Sequence, residues 1–244
     1  MLINSESIIG KIVAENYKTA AVFKSYNIDF CCNGNRSIAA ASKEKDIDEK
    51  VILQELSEVL NKKEDSDIDF KSWSIDLLAD YIEKKHHRYV FAKIPEITAY
   101  LARITDVHGN RHPELYEISK LFSQSAEALS AHMKKEENIL FPLIREMVDK
   151  RTTGEKFKRP PFGSIENPIK TMHAEHDNEG VRFRRISELS RNYETPQDGC
   201  NTYRVTLNLL KEFEDDLHRH IHLENNILFP AAIEFEHVIF PVHT

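Results

Sequence analysis

The stretch HIHLENNILFP, from His220 to Pro230, decides the fold because an earlier stretch repeats its pattern. HMKKEENILFP, from His132 to Pro142, has histidine, glutamate, Ile-Leu-Phe and proline at the matching places, 88 positions earlier. In each copy a glutamate follows the histidine by four residues, so both side chains share one helix face. The repeat predicts two related helices and therefore a duplicated helical hairpin.

Four long amphipathic segments with apolar residues at helical spacing make up most of the chain. The first starts near Ser72, and the others are predicted at about Pro113–Val148, Pro168–Tyr193 and Cys200–Glu236. Asn167 before Pro168 is typical of a helix N-cap followed by proline at the first helical position. Connections this short favour antiparallel neighbours, so we predict an all-α fold, an antiparallel four-helix bundle with a small N-terminal helical domain.

The chain before the bundle has a different organisation. Between residues 5 and 60 the helical patterns are short, and Lys62–Asp69 is almost entirely charged or polar. We interpret that segment as a linker between a domain at residues 1–62 and the bundle at residues 72–240. Asn33 and Gly34 interrupt the N-terminal pattern, which predicts that Cys31 and Cys32 lie at a turn or a helix start.

Composition excludes several classes of protein. The 244 residues carry a net charge of -7 without a basic stripe, so nucleic acid is not an expected partner. There is no apolar run of eighteen residues and no signal-peptide pattern, so no membrane association is expected. Three cysteines, two of them adjacent, do not form a disulfide framework, which favours a reducing compartment and a cytoplasmic location.

The histidines and glutamates on the apolar sides of the four segments are candidate metal ligands. A helical period of 3.6 residues favours His86 over its neighbour His87 and His176 over His173. His87 and His173 are expected to be solvated, to cap a helix or to support a ligand from outside the set. The inward set comprises His86, His132, Glu136, His176, His220 and Glu224. Four imidazoles and two carboxylates exceed what one tetrahedral zinc ion needs, and they suit two iron or manganese ions bridged by the glutamates. Glu175 is a candidate hydrogen-bond acceptor for a ligating histidine.

These motifs resemble the Repair of Iron Centers family, the ScdA-like group within the hemerythrin-like di-iron fold. The two Ile-Leu-Phe-Pro stretches, YIEKKHH at Tyr81–His87 and AEHD at Ala174–Asp177 resemble its bundle motifs, and FKSYNIDFCCNGN resembles its N-terminal signature. The resemblance implies two non-haem iron ions with carboxylate and oxo or hydroxo bridges, held by the six residues chosen above. Asn33 departs from the Cys-Cys-Gly-Gly of that signature, because it adds a side chain directly after Cys32.

The resemblance also implies the function. It predicts a protein that repairs iron-sulfur clusters damaged by nitrosative or oxidative stress, by supplying iron, with damaged iron-sulfur proteins as partners. One alternative is a di-iron nitric oxide reductase or oxidase, and another is a protein that binds or senses oxygen or nitric oxide. Cys31 and Cys32 have either a redox or metal-handling role or a place in the apolar core. A monomer and a homodimer both fit the sequence.

Overall fold

A computed structural model of the protein describes residues 3–61 and 68–240. Within those residues the regular structure is helical, apart from one isolated antiparallel bridge between Ile8 and Ser37. The all-α prediction is therefore confirmed. Most of the predicted linker, residues 62–67, lies outside the described residues.

The N-terminal part is built from short helices. They are α1 (Ile9–Glu15), α2 (Ala20–Ser25), α3 (Ile38–Lys45) and α4 (Glu49–Asn61), with a 3₁₀ turn at Tyr17–Thr19. Their inward side chains, such as Ile9, Phe23, Ile38 and Leu56, are fully buried. Removing these apolar side chains from water supplies the driving force that such short helices lack on their own.

The longer helices follow. After a 3₁₀ turn at Phe70–Ser72 they are α5 (Ile75–Tyr81), α6 (Arg88–His108), α7 (Glu114–Lys135), α8 (Phe141–Thr153), α9 (Glu166–Leu189), α10 (Asn201–Leu223) and α11 (Phe229–Ile239). Three π-helical segments, at Ile82–His87, Glu136–Leu140 and Glu224–Leu228, directly join α5 to α6, α7 to α8 and α10 to α11. The second and third π segments begin 88 positions apart, so the duplication seen in sequence extends to the local backbone.

One buried aromatic ring marks the core of the bundle. The ring of Phe213 on α10 lies 6.3 Å from Tyr89 on α6, 5.4 Å from Phe122 on α7 and 5.7 Å from Phe183 on α9, measured between centroids. Aromatic pairs at these separations contribute packing beyond the area that they bury. Residues from three helices thus surround a side chain of a fourth, as the predicted four-helix bundle requires.

Several helix ends differ from the sequence prediction. Helix α5 begins at Ile75, and α9 begins at Glu166 rather than Pro168. Asn167 is consequently not an N-cap, because it lies inside the first turn of α9 and its side-chain amide donates to the carbonyl of Phe162 at 2.8 Å. The predicted helix at Pro113–Val148 is divided into α7 and α8, and Pro142 lies in the first turn of α8, which continues to Thr153. Proline is tolerated in a first helical turn, where backbone amides have no intrahelical acceptor.

The described residues form two compact groups. Residues 79–220 make up one, and the residues before position 79 make up the other together with those from Ile221 onward. The sequence-based division into residues 1–62 and 72–240 stays a prediction. No helix in the described ranges is both long enough and apolar enough to cross a membrane.

Candidate metal centre

Two buried histidines and a buried glutamate converge between α7 and α9. His132 and His176 place their Nε2 atoms 3.0 Å apart, and Nε2 of His132 lies 3.3 Å from Oε2 of Glu136. All three side chains are at most 3% exposed. One ligand atom from each lies within 4.8 Å of the others, so the three can bind the same ion.

A second group shares the same glutamate. Nε2 of His87 lies 3.4 Å from Oε2 of Glu136, and His220 on α10 brings another imidazole nitrogen within 4.8 Å of both. His87 and His220 are each 1% exposed. Glu136 therefore lies between two pairs of histidines, and its carboxylate is within reach of a metal ion held by either pair.

His87 is not solvated, because its side chain is buried and lies in one of the two groups of candidate ligands. The period of 3.6 residues does not hold there, because Ile82–His87 is a π-helical segment. A π segment accommodates an extra residue and rotates the side chains after it relative to an uninterrupted α-helix, and such segments are frequent at functional sites. The repeat contained a usable signal, since 88 positions before His176 is position 88, which is closer to His87 than to His86.

His86 is buried, but it is not among the groups of ligand atoms that the described residues bring together. Its Nδ1 lies 3.0 Å from Oδ1 of Asp216, and its ring stacks on that of His220 at 5.6 Å and 12°. The Nε2 atom of His86 is buried and has no hydrogen-bond partner in the described residues. These contacts place His86 beside the histidines of the centre, with one nitrogen facing a carboxylate.

Outer carboxylates orient the two histidines that face Glu136. Nδ1 of His132 lies 2.8 Å from Glu175, and Nδ1 of His87 lies 2.9 Å from Glu137. A ring that donates Nδ1–H to a carboxylate presents the lone pair of Nε2, so the Nε2 atoms of both rings are available to bind a metal ion. The hydrogen bond from His132, together with Lys135, lowers the pKa of Glu175 to about 2. Glu175 therefore accepts the hydrogen bond as a carboxylate.

The donor spacing fits metal ions. An ion about 2.1 Å from two donors, at angles of about 90° to 110°, holds those donors about 3.0 to 3.4 Å apart. The three separations around Glu136 and His132 are 3.0, 3.3 and 3.4 Å. A buried carboxylate costs several kcal/mol unless cations or hydrogen-bond donors oppose its charge, and a divalent ion supplies that opposition.

A pocket of about 180 Å³ lies against one side of this centre. Its walls include His132 and His176, and its charged lining comes from Lys135, Glu175, Glu179 and Arg182. Burial raises the pKa of Glu179, although its carboxylate accepts hydrogen bonds from Ser125 at 2.5 Å and from Arg182. The sequence analysis did not select Glu179, since a single glutamate on a charged helix gave no signal.

Glu224 begins the π-helical segment that follows α10, and its side chain is fully buried. It corresponds to Glu136, which also begins a π segment four residues after a histidine. The structural equivalence supports the sequence-based assignment of the two glutamates to one role.

Cys31 and Cys32 form a turn around Asp29. The backbone amides of both cysteines donate to Oδ1 of Asp29, at 3.1 and 2.9 Å, and the two Sγ atoms are 3.7 Å apart. Hydrogen bonding to Cys32 and burial raise the pKa of Cys31 well above that of an ordinary thiol. The side-chain amides of Asn225 and Asn226 donate to the carbonyls of Cys31 and Phe30, which holds the turn in place. A redox role for the pair stays a prediction.

Asn33 is compatible with this turn. The φ angle of Asn33 is not positive, so the backbone accommodates a side chain at this position, where the Cys-Cys-Gly-Gly signature has glycine. Gly34 is the position that needs glycine, because a Cβ there would overlap the carbonyl oxygen of Phe30.

Comparisons with known proteins agree with this geometry. The sequence profile of the Hemerythrin HHE cation binding domain matches residues 78–232, and that of ScdA_N, a Domain of Unknown function (DUF542), matches residues 5–60. The iron-sulfur cluster repair protein ScdA of Staphylococcus haemolyticus is 29% identical over 228 residues, 93% of this chain and 98% of its own length. The iron-sulfur cluster repair proteins YtfE of Shigella boydii and of an Escherichia coli strain are each 30% identical over 93% of this chain and 97% of their own lengths. The chain therefore belongs to the hemerythrin HHE cation-binding family and, over nearly its whole length, to the ScdA- and YtfE-like proteins within it.

Proposed function

We propose that the bundle holds two iron ions. Its ligands are His87, His132, Glu136, His176, His220 and Glu224, with His87 in the place that the sequence analysis gave to His86. The observation that carries the proposal is the position of Glu136, whose Oε2 lies within 3.4 Å of imidazole nitrogens from both sides. Glu224 is assigned from its equivalence to Glu136 in the repeat and from its complete burial. Nitrogen and carboxylate ligands without thiolate suit iron better than they suit structural zinc.

We propose further that this centre serves the repair of damaged iron-sulfur clusters in other proteins, as the names of the ScdA and YtfE relatives state for them. The damaged cluster is the substrate, and iron is the material that it lacks. Bound iron supplies an exchangeable metal with two accessible oxidation states. Reduced thiols persist in the cytoplasm, and the three cysteines form no disulfide, which supports a cytoplasmic site of action.

The side chains of this chain would control how the ions are held. Glu175 and Glu137 fix the tautomers of His132 and His87, so two nitrogens are ready as ligands without further reorganisation. Lys135 binds the outer side of Glu175 and keeps it charged. Because Glu175 is about a third exposed, protonation or displacement of this one carboxylate from the solvent side would weaken one ligand.

The test is transfer of labelled iron to a damaged client. Anaerobically purified protein loaded with ⁵⁷Fe is mixed with a [4Fe–4S] dehydratase that nitric oxide has inactivated, and dehydratase activity and its ⁵⁷Fe content are followed together. We expect recovery of activity with label in the rebuilt cluster. The controls are metal-free protein and an equal concentration of ferrous salt. Equal recovery with ferrous salt alone would contradict the repair function while leaving the metal centre intact.

The pocket beside His132 and His176 favours a second candidate function, binding or turnover of a small gas molecule such as nitric oxide or oxygen. A volume of about 180 Å³ is ample for a diatomic molecule. Anaerobic stopped-flow mixing of the iron-loaded protein with nitric oxide, with detection of nitrous oxide, separates the two functions. Many turnovers per chain would support an enzyme, and one stoichiometric reaction would support the repair protein.

A further inference from the structure

A cysteine and a histidine form a close pair far from the metal centre. Cys200 is exposed and immediately precedes α10, and its Sγ lies 3.2 Å from Nε2 of His108, the last residue of α6. The imidazole of His108 is 4% exposed, and its other nitrogen, Nδ1, is buried with no hydrogen-bond partner in the described residues. The ring is thus held with one nitrogen directed at an accessible thiol.

The start of α10 also faces this sulfur. The backbone amides of Tyr203 and Thr202 interact with Sγ, and α10 is 23 residues long. Amides at a helix N-terminus carry partial positive charge and stabilise a nearby anion. These amides and His108 together lower the pKa of Cys200 to about 7, with Tyr203 as the largest contributor.

The remaining neighbours hold the histidine in place and set its electrostatic surroundings. The ring of Tyr203 packs on His108 at 5.4 Å between centroids, and burial raises the pKa of its hydroxyl to about 12, so it stays neutral. His112 lies 6.4 Å from His108 and is bound to Asp198 and Glu114, while Arg111 forms an ion pair with Asp198. Asp198 and Glu114 are therefore already in contact with basic side chains.

The pair is independent of the metal centre. His108 is 21 residues beyond His87 along the same helical run, and 1.5 Å of rise per residue makes that separation about 30 Å. Cys200 lies just before the start of α10, and His220 lies a similar distance along that helix. No residue of the pair is within two positions of a proposed ligand.

We propose that Cys200 is a site of reversible thiol modification, activated by His108, that reacts with low-molecular-weight disulfides. The thiol proton passes to Nε2 of His108, and the thiolate attacks one sulfur of the disulfide. A bond forms between Sγ and that sulfur while the original S–S bond breaks. The departing thiolate takes the proton from His108, so atoms and electrons balance without a further oxidant. Reduction by an ordinary thiol reverses the step.

Oxidised glutathione is the probe for this site. Intact protein is incubated with it at pH 7, quenched in acid and digested, and the peptide carrying Cys200 is quantified by mass spectrometry. A thiol with a pKa near 7 has about fifty times more thiolate at pH 7 than a thiol with a pKa near 9. The thiolate of lower pKa is about tenfold less nucleophilic, which reduces the fiftyfold gain in rate to about fivefold. We therefore expect the adduct to form about fivefold faster than on an unstructured peptide of the same sequence. Equal rates would overturn the proposal.

A variant pair isolates the histidine. His108→Gln retains a hydrogen-bonding group of similar reach but does not take up the proton, so we expect its pH midpoint for reaction to rise by about one unit. His112→Gln, one turn away and not in contact with Sγ, should leave the midpoint unchanged. An unchanged midpoint in His108→Gln, or equal shifts in both variants, would refute activation by His108.

Wild-type protein provides a test that does not depend on folding of a variant. Its rate of alkylation by iodoacetamide at Cys200, followed by peptide mass spectrometry from pH 5 to pH 10, should have a midpoint near 7. A midpoint near 9 would overturn the proposal even if His108→Gln failed to fold.

Discussion

Replacing His87 and His86 in turn by alanine tests the proposal that His87, and not His86, is a metal ligand. The two side chains are equally buried, at 1% exposure each, and are adjacent in one π-helical segment. Their truncation should therefore cost similar packing energy, about 2 to 4 kcal/mol in the metal-free protein. Only the iron content is expected to separate them.

The expected loss of iron in His87→Ala follows from the contacts of the His87 side chain. Nε2 of His87 lies 3.4 Å from Oε2 of Glu136, and His87 belongs to one of the two donor groups. In the proposed two-iron centre, His87→Ala would therefore remove a ligand from one ion and none from the other. Loss of an outer-shell partner already weakens metal binding by about 10- to 100-fold, and loss of a ligand should exceed this. We expect iron to fall from about two to about one per chain in His87→Ala, since each ion of a two-metal site has its own ligands.

The matched variant should behave differently. His86→Ala loses the contact with Asp216 and the stacking on His220, which lowers thermal stability, but its iron content should stay close to that of wild type. Elemental analysis after anaerobic purification measures iron, and circular dichroism of the metal-free proteins measures unfolding. Full iron in His87→Ala, or halved iron in His86→Ala alone, would refute the role of the π segment in selecting His87.

Three further changes have expected outcomes. Glu175→Gln should weaken iron binding by about 10- to 100-fold in competition with a chelator, because His132 loses a charged acceptor, whereas the exposed Glu117→Gln should have no effect. Gly34→Ala should destabilise the protein by about 1 to 3 kcal/mol in thermal unfolding because its Cβ would overlap the carbonyl of Phe30, whereas Asn33→Gly should change stability by less than about 1 kcal/mol. Arg145→Met should cost about 1 kcal/mol or less at pH 7, since its ion pairs with Asp80 and Glu83 are about a third exposed. Hydrogen bonds from Lys84 and Arg145 lower the pKa of Asp80 below its ordinary value of 3.8. The loss of stability in Arg145→Met that comes from the ion pair with Asp80 should therefore be present at neutral pH and disappear as the pH falls below 3.8 and Asp80 becomes protonated.

Much of the fold could be predicted from sequence because the duplication is strong. Matching His-x-x-x-Glu and Ile-Leu-Phe-Pro stretches fix two helices and their equivalent faces, and amphipathic spacing supplies the other two. His132, Glu136, His176 and His220 follow from a regular period, and the structure brings those four side chains into the buried groups.

Local backbone irregularity limits such predictions. At His86 and His87 the 3.6-residue rule selects one side chain and the π-helical segment brings in the other. The carboxylates that orient the histidine rings are still harder to predict from the sequence, because Asp216 is 130 positions from His86 and Glu137 is 50 positions from His87. Nothing in the local sequence of either carboxylate indicates that distant contact.

The Mössbauer spectrum of anaerobically prepared, ⁵⁷Fe-loaded protein tests the dinuclear centre most directly. For the oxidised protein at low temperature, we predict quadrupole doublets from a coupled pair with no net spin, accounting for about two iron ions per chain. A spectrum with the magnetic splitting of isolated high-spin ferric ions, at one iron per chain or fewer, would contradict the central claim.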